Sequence, residues 1–118
     1  MKRIYLLLAI CAMSLQGYSQ KLDIGTYTDH SGTTSAGSKT AMAASGGNGR
    51  VGWFFQNQSG DGTVMYINFT SAASASGDSF KLIDGASATS VDFCTTELIT
   101  VYCASSGKAY CIKEFIGK

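Results

Sequence analysis

Residues 50–69 read RVGWFFQNQSGDGTVMYINF. Two aromatic-rich apolar runs flank a loop of Gln, Ser, Gly and Asp. In the first run Val51, Trp53 and Phe55 fall on one side of an extended chain, and Arg50, Gly52, Phe54 and Gln56 fall on the other. That period of two reads as a strand with a mainly buried face and a mixed one. In the second run Met65, Ile67 and Phe69 share a face. SGDG at 59–62 supplies turn residues, so the two runs are expected to pair as a hairpin whose rings line a small β domain.

The rest of the chain follows the same rhythm of short extended segments and Gly/Ser breaks. Residues 22–27 make a weak first strand, 30–38 (HSGTTSAGS) a loop, 39–44 a short apolar piece, and GGNG at 46–49 a strong break. SAASASGDS at 71–79 reads as a loop, 80–83 as a short strand closed by Asp84-Gly85, 86–89 as loop, and 91–94 as another short strand. Residues 98–103 are rich in Ile, Thr, Val and Tyr, and SSGK at 105–108 turns the chain so that 109–116 is expected to pair back. No stretch after residue 20 sustains a helical period. The expected fold is all-β: an antiparallel β-sandwich, jelly-roll-like, with an N-terminal signal helix outside it.

Composition sets the class. The chain has 118 residues, which points to one domain. Charged residues make up 14%, well below the usual quarter, and proline is absent. Net charge is +1 with no basic cluster, which excludes a nucleic-acid partner, because phosphate binding needs gathered Lys and Arg. Met1-Lys2-Arg3, the apolar run 4–15 and the small residues Gly17 and Ser19 together read as a secretory signal. The division is therefore a signal peptide at 1–19 and a β-sandwich domain at 20–118, secreted, periplasmic or at the cell surface, with no stable membrane span after cleavage. Bulky Ile10 makes Cys11 a poor lipoprotein acceptor.

Three cysteines, Cys94, Cys103 and Cys111, fall in the domain, and export permits disulfides. In the expected final hairpin Cys103 lies opposite Cys111, which makes that bridge the simplest pairing. Cys94 joined to either of the others is the competing arrangement, and three free thiols packed as small hydrophobes is a third.

Chemistry is sparse. The one histidine, His30, sits beside Asp29 in a polar loop, and no G-x-S-x-G is present. The carboxylates Asp78, Asp84, Asp92, Glu97 and Glu114 show no spacing of a catalytic pair. The cysteines lack C-x-x-C spacing, and SGDGT at 59–63 lacks the spaced acids of a calcium loop, so neither cofactor nor metal is expected. Asn57-Gln58-Ser59 and Asn68-Phe69-Thr70 match the glycosylation pattern, which is read as coincidence. Tyr66 and Tyr102 fall on strand faces opposite the apolar ones and suit sugar or protein contacts. Asp61 and Asn68 complete the candidate contact residues, and 29–37, 58–62 and 71–78 are the candidate contact loops.

The order of pieces resembles a small β-sandwich module of phage virion proteins. The pieces are Ala41-Met42-Ala43-Ala44, Asn48-Gly49-Arg50, Trp53-Phe54-Phe55, Asn57-Gln58-Ser59, Tyr66-Ile67-Asn68-Phe69, Phe80-Lys81-Leu82, Asp84-Gly85, Ile99-Thr100-Val101-Tyr102 and Ala104-Ser105-Ser106-Gly107, ending at Glu114-Phe115. The series spans 33–115, and Asp84 stands where the pattern usually has proline. The resemblance implies a capsid decoration, head-fibre or tail-accessory role without an active site, and a homotrimer. Behind an export signal it implies a bacterial surface protein or a prophage remnant. The expected function is thus a non-enzymatic structural or adhesion module that contacts a protein or glycan surface. The alternatives are a secreted carbohydrate-binding module, favoured by Tyr66 or Trp53 exposed beside a groove, and a small secreted hydrolase, favoured by a cleft joining His30 to a serine and a carboxylate.

Overall fold

The computed structural model describes residues 25–45, 49–91 and 96–117. The signal segment 1–19, the start of the first expected strand, most of GGNG, Asp92 and Cys94 lie outside the described residues. The described residues form nine strands and no helix. These are β1 (Thr26–Asp29), β2 (Gly32–Thr33), β3 (Gly37–Met42), β4 (Arg50–Asn57), β5 (Met65–Asn68), β6 (Phe80–Leu82), β7 (Ser87–Thr89), β8 (Ile99–Cys103) and β9 (Ala109–Ile116). They build two antiparallel sheets. One has the order β1-β9-β4-β7, with β2 also on β9; the other has the order β3-β8-β5-β6.

The decisive stretch does not form a hairpin. β4 pairs with β9 and β7 in one sheet, whereas β5 pairs with β8 and β6 in the other. The loop between them arches over the end of the sandwich, and the two apolar faces meet across it. Trp53 and Phe69 show this directly, with ring centroids 5.4 Å apart, and Phe69 continues to Phe80 at 5.5 Å. A hairpin would bury the same faces of both runs, so the alternation alone does not separate the two arrangements. The final turn behaves likewise: β8 and β9 lie in different sheets, and the expected pairing of 98–103 with 109–116 is replaced by a second arch.

Trp53, Phe55, Met65, Ile67, Ile99, Val101 and Ile112 fill the core and are essentially inaccessible. Burying each aliphatic or Phe side chain contributes about 1.5–3 kcal/mol. Phe55 stacks on Tyr110 at 5.5 Å and 13°, closing the core toward the 104–108 arch.

Local readings shift in three places. The loop expected over 30–38 contains β2 and the start of β3, held because Thr34 both donates to Ser105 O at 2.7 Å and accepts from Lys108 N at 3.1 Å through its hydroxyl. Residues 86–89, read as loop, contain β7, whose weak Ser-Ala-Thr sequence is recruited by the ladder of Phe54–Gln56. Most consequentially, register slips between Arg50 and Gly52, so Val51 is a bulge. Val51 is 64% exposed and Arg50 only 6%, the reverse of simple alternation.

Candidate functional site

Two places concentrate polar chemistry. The first is the outer face of the sheet β3-β8-β5-β6. Side chains alternate along each strand, so Ile99, Val101 and Cys103 of β8 point inward while Thr100 and Tyr102 point outward. Tyr102 stands directly opposite Tyr66 of β5, with ring centroids 6.1 Å apart and planes at 60°. Ser38 of β3 flanks Tyr102, and Lys81 of β6 flanks Tyr66, in the same transverse row. Both rings are half-buried at the base and open above. Among the described residues neither phenol makes a hydrogen bond.

Beside the rings lies a shallow groove of about 340 Å³, lined by Ser38, Lys39, Thr40, Ser71, Leu98 and Thr100, with Ala72 completing its wall. That wall is the segment following β5, folded down onto the sheet. Thr100 fixes it: its hydroxyl donates to Ser71 O at 2.7 Å and accepts from Ala73 N at 2.9 Å. Asn68 braces the other side, accepting from Thr70 N and Ser71 N and donating to Asp78 O at 2.9 Å.

The second place is internal. Glu114 of β9 accepts from Arg50 Nε at 3.0 Å on one oxygen and from His30 Nε2 at 2.8 Å on the other. The Arg50 guanidinium is fully enclosed and also donates to Glu97 O and Ala43 O, both at 2.6 Å. One side chain therefore joins β4 and β9 to the segments after β3 and before β8, stitching the two sheets together at one end. His30 is 31% exposed, and its own amide donates to Ile112 O at 3.0 Å. The neighbouring Ser31 hydroxyl is engaged with the backbone of Ile112 rather than with the imidazole. His30 and Glu114 thus have the positions of a base and its orienter, while the adjacent hydroxyl serves the strand and the remaining carboxylate oxygen serves Arg50.

At the opposite end the arches are tied together. Gly60 N and Gly62 N donate to the two oxygens of Asp84 at 2.9 and 3.0 Å. These two amides hold the Asp84 carboxyl below its ordinary value of 3.8. A proline at this position would remove that clamp, which gives Asp84 a structural reason for departing from the resembling pattern. Asp61 pairs with Lys108 and accepts from the Thr63 hydroxyl at 2.6 Å; Asp29 pairs with Lys113 and accepts from Ser31 N at 2.9 Å. The lysine partner is the main cause that depresses each carboxyl.

Of the residues singled out from sequence, Tyr66 and Tyr102 are brought together on an open face. Asp61 lies in an exposed loop but is engaged with Lys108. Asn68 is 6% exposed and fully bonded, so it is a brace and not a surface contact. Trp53 is 2% exposed and belongs to the core. The Cys103–Cys111 bridge is not formed: Cys103 points into the core from one sheet and Cys111 lies on the outer side of the other, and both are free thiols. Asn57, in the first glycosylation-like triplet, is wholly buried, donating to Thr63 O and Leu82 O.

Sequence reading missed Ser38 and Thr40 as groove hydroxyls, though its 71–78 contact loop includes Ser71, and it missed the Arg50–Glu114–His30 cluster. A signal existed for the cluster. Gly52 inside a strand pattern marks a bulge, and alternation from Tyr110 and Ile112 carries Glu114 to the inner face. Among the described residues no group of His, Cys, Asp and Glu is placed to hold a metal, and no helix is long and apolar enough to cross a membrane. Comparisons with protein-family models, curated proteins and solved structures found no match.

Proposed function

We propose that this chain is a non-enzymatic, exported β-sandwich that decorates or adheres to a surface, of the kind its resemblance to phage virion modules implies. We read its strand order as that of a jelly roll. Counting β1 and β2 as one bent strand, the two sheets run 1-8-3-6 and 2-7-4-5 in eight-strand numbering, and consecutive strands alternate between sheets except strands 4 and 5, which pair with each other. The observation that carries the functional reading is a contrast. Arg50, Glu114 and His30 are turned on one another, while the phenols of Tyr66 and Tyr102 stand open on a sheet face beside a groove. The chemistry left over for a partner is therefore recognition chemistry, on a rigid strand platform.

The opposite outer face supports self-association into a homo-oligomer, with a trimer as the expected state. Tyr27 at 53% and Val51 at 64% exposure lie there with half-buried Phe54 and Phe115, and Tyr27 packs on Phe115 at 6.0 Å. A neighbouring copy would cover this apolar strip, leaving the Tyr66/Tyr102 face outward.

The experiment is co-sedimentation of the purified chain with cell envelopes and phage particles of its host. Wild-type protein is expected to pellet with one of them, Tyr66→Ala and Tyr102→Ala variants to remain in the supernatant, and a variant at 94%-exposed Val91, Val91→Ala, to behave as wild type. Equal pelleting of all variants, or hydrolysis of ester or glycoside substrates that depends on His30, overturns the reading.

A further inference from the structure

We propose that the Tyr66/Tyr102 face takes a neutral polysaccharide chain, lying across the strands with sugar units in contact with the two rings and hydroxyls bonded in the adjoining groove. The inference rests on the reading of this face as the contact surface and adds the chemical class of what it contacts.

Three observations carry it. The first is shape. Ser38, Tyr102, Tyr66 and Lys81 come one from each strand and form a single row across the sheet. At about 4.8 Å per strand that row is roughly 14 Å long and open at both ends. Such a track suits the interior of a linear chain better than a compact molecule needing enclosure. The second is surface chemistry. A pyranose offers an apolar C–H face and a rim of hydroxyls. Two half-open phenol rings supply the apolar contact, and their hydroxyls, together with those of Ser38, Thr40 and Ser71, supply donors and acceptors. Among the described residues none of these five hydroxyls is committed to a protein hydrogen bond except that the Ser71 and Ser38 backbones serve the fold, so they are free to exchange water for sugar.

The third is charge. β3, β5, β6 and β8 contain no Asp or Glu, and their two lysines, Lys39 and Lys81, lie on opposite edge strands. Lys39 is spent on Thr33 O at 3.0 Å and on the Tyr110 ring. A nucleic-acid strand would need a line of cations, and a metal-bridged ligand would need carboxylates. The two tyrosines suit a protein partner as well as a sugar, and what favours the sugar is the groove beside them, where Ser38, Thr40 and Ser71 place hydroxyls next to apolar surface with no carboxylate among its lining residues.

The test is affinity electrophoresis of the purified chain through gels holding a mixed-linkage β-glucan, a xylan or a mannan, with alginate as the anionic comparison. Retardation is expected in at least one neutral gel and not in alginate, weakened about tenfold in Tyr66→Ala and Tyr102→Ala. Tyr66→Phe keeps the ring and is expected to retain most of the binding. Matched melting curves of the variants establish that they fold. Absence of retardation in every neutral gel overturns the inference. If envelope binding then survives periodate oxidation of the surface glycans but still fails in the alanine variants, the partner is a protein and the contact face stands. If retardation is indifferent to both tyrosines, the face and its ligand class fall together.

Discussion

Glu114 meets the guanidinium of Arg50 and the imidazole of His30 inside the sandwich, and Arg50 has no exposed side-chain surface. Removing the carboxylate takes from an enclosed guanidinium the charged acceptor it meets at 3.0 Å, a loss of about 3–5 kcal/mol. Glu114→Ala is expected to lower the unfolding free energy measured in urea by that amount. The double variant Arg50→Met/Glu114→Leu is expected to lose much less than the sum of the single changes, since an apolar pair of similar volume carries no unpaired charge. Asn57 gives a second case. Its amide bonds two carbonyls of different segments while its oxygen takes Ser59 N at 3.0 Å. Asn57→Ala strands these groups, with an expected cost of about 1–3 kcal/mol in equilibrium unfolding.

At the scale of strands and loops, the positions of most elements were legible because apolar residues recur at every second place. Trp53 and Phe55 point inward as the pattern requires, and so do Met65 and Ile67. Partnership was not legible. An arch and a hairpin bury identical faces, so residues 50–69 specify two strands without saying whether they share a sheet. The Val51 bulge hid Arg50 for a related reason: one extra residue inverts the parity of everything before it. Of the recognition face, the two tyrosines could be placed from alternation, but the groove could not, because the wall segment is held by Thr100 from a distant strand. The absent Cys103–Cys111 bridge follows from the same misjudged partnership. In a chain carrying Cys11→Ser and Cys94→Ser, Cys111 is expected to react with a thiol dye in the folded protein and Cys103 only after unfolding. The Asp84 clamp makes a pH prediction. Its carboxyl is depressed on folding, so its contribution is complete above the unfolded value of 3.8 and fades as pH falls below that through the folded value. Melting temperature is expected to drop through this acid range, less steeply in Asp84→Asn, which already lacks the charged clamp at neutral pH.

For the molecule as a whole, the pairing scheme is almost entirely non-local. Thr26 meets Ile116, Gly37 meets Cys103, and the two strands nearest in sequence at each arch sit in opposite sheets. Folding is therefore expected in the millisecond-to-second range, slow for a chain of this size. Stopped-flow fluorescence of Trp53, the single tryptophan, reports it directly because that ring is buried only in the assembled core. The central strand of the larger sheet is β9, which pairs with β1, β2 and β4 at once. During synthesis those three wait for a neighbour that is translated after them. A ribosome that has reached residue 108 has made every strand of the smaller sheet and the β4–β7 pair, but the larger sheet still lacks its centre, so the inner faces have no complete wall to close on and stay open to proteases until the tail arrives.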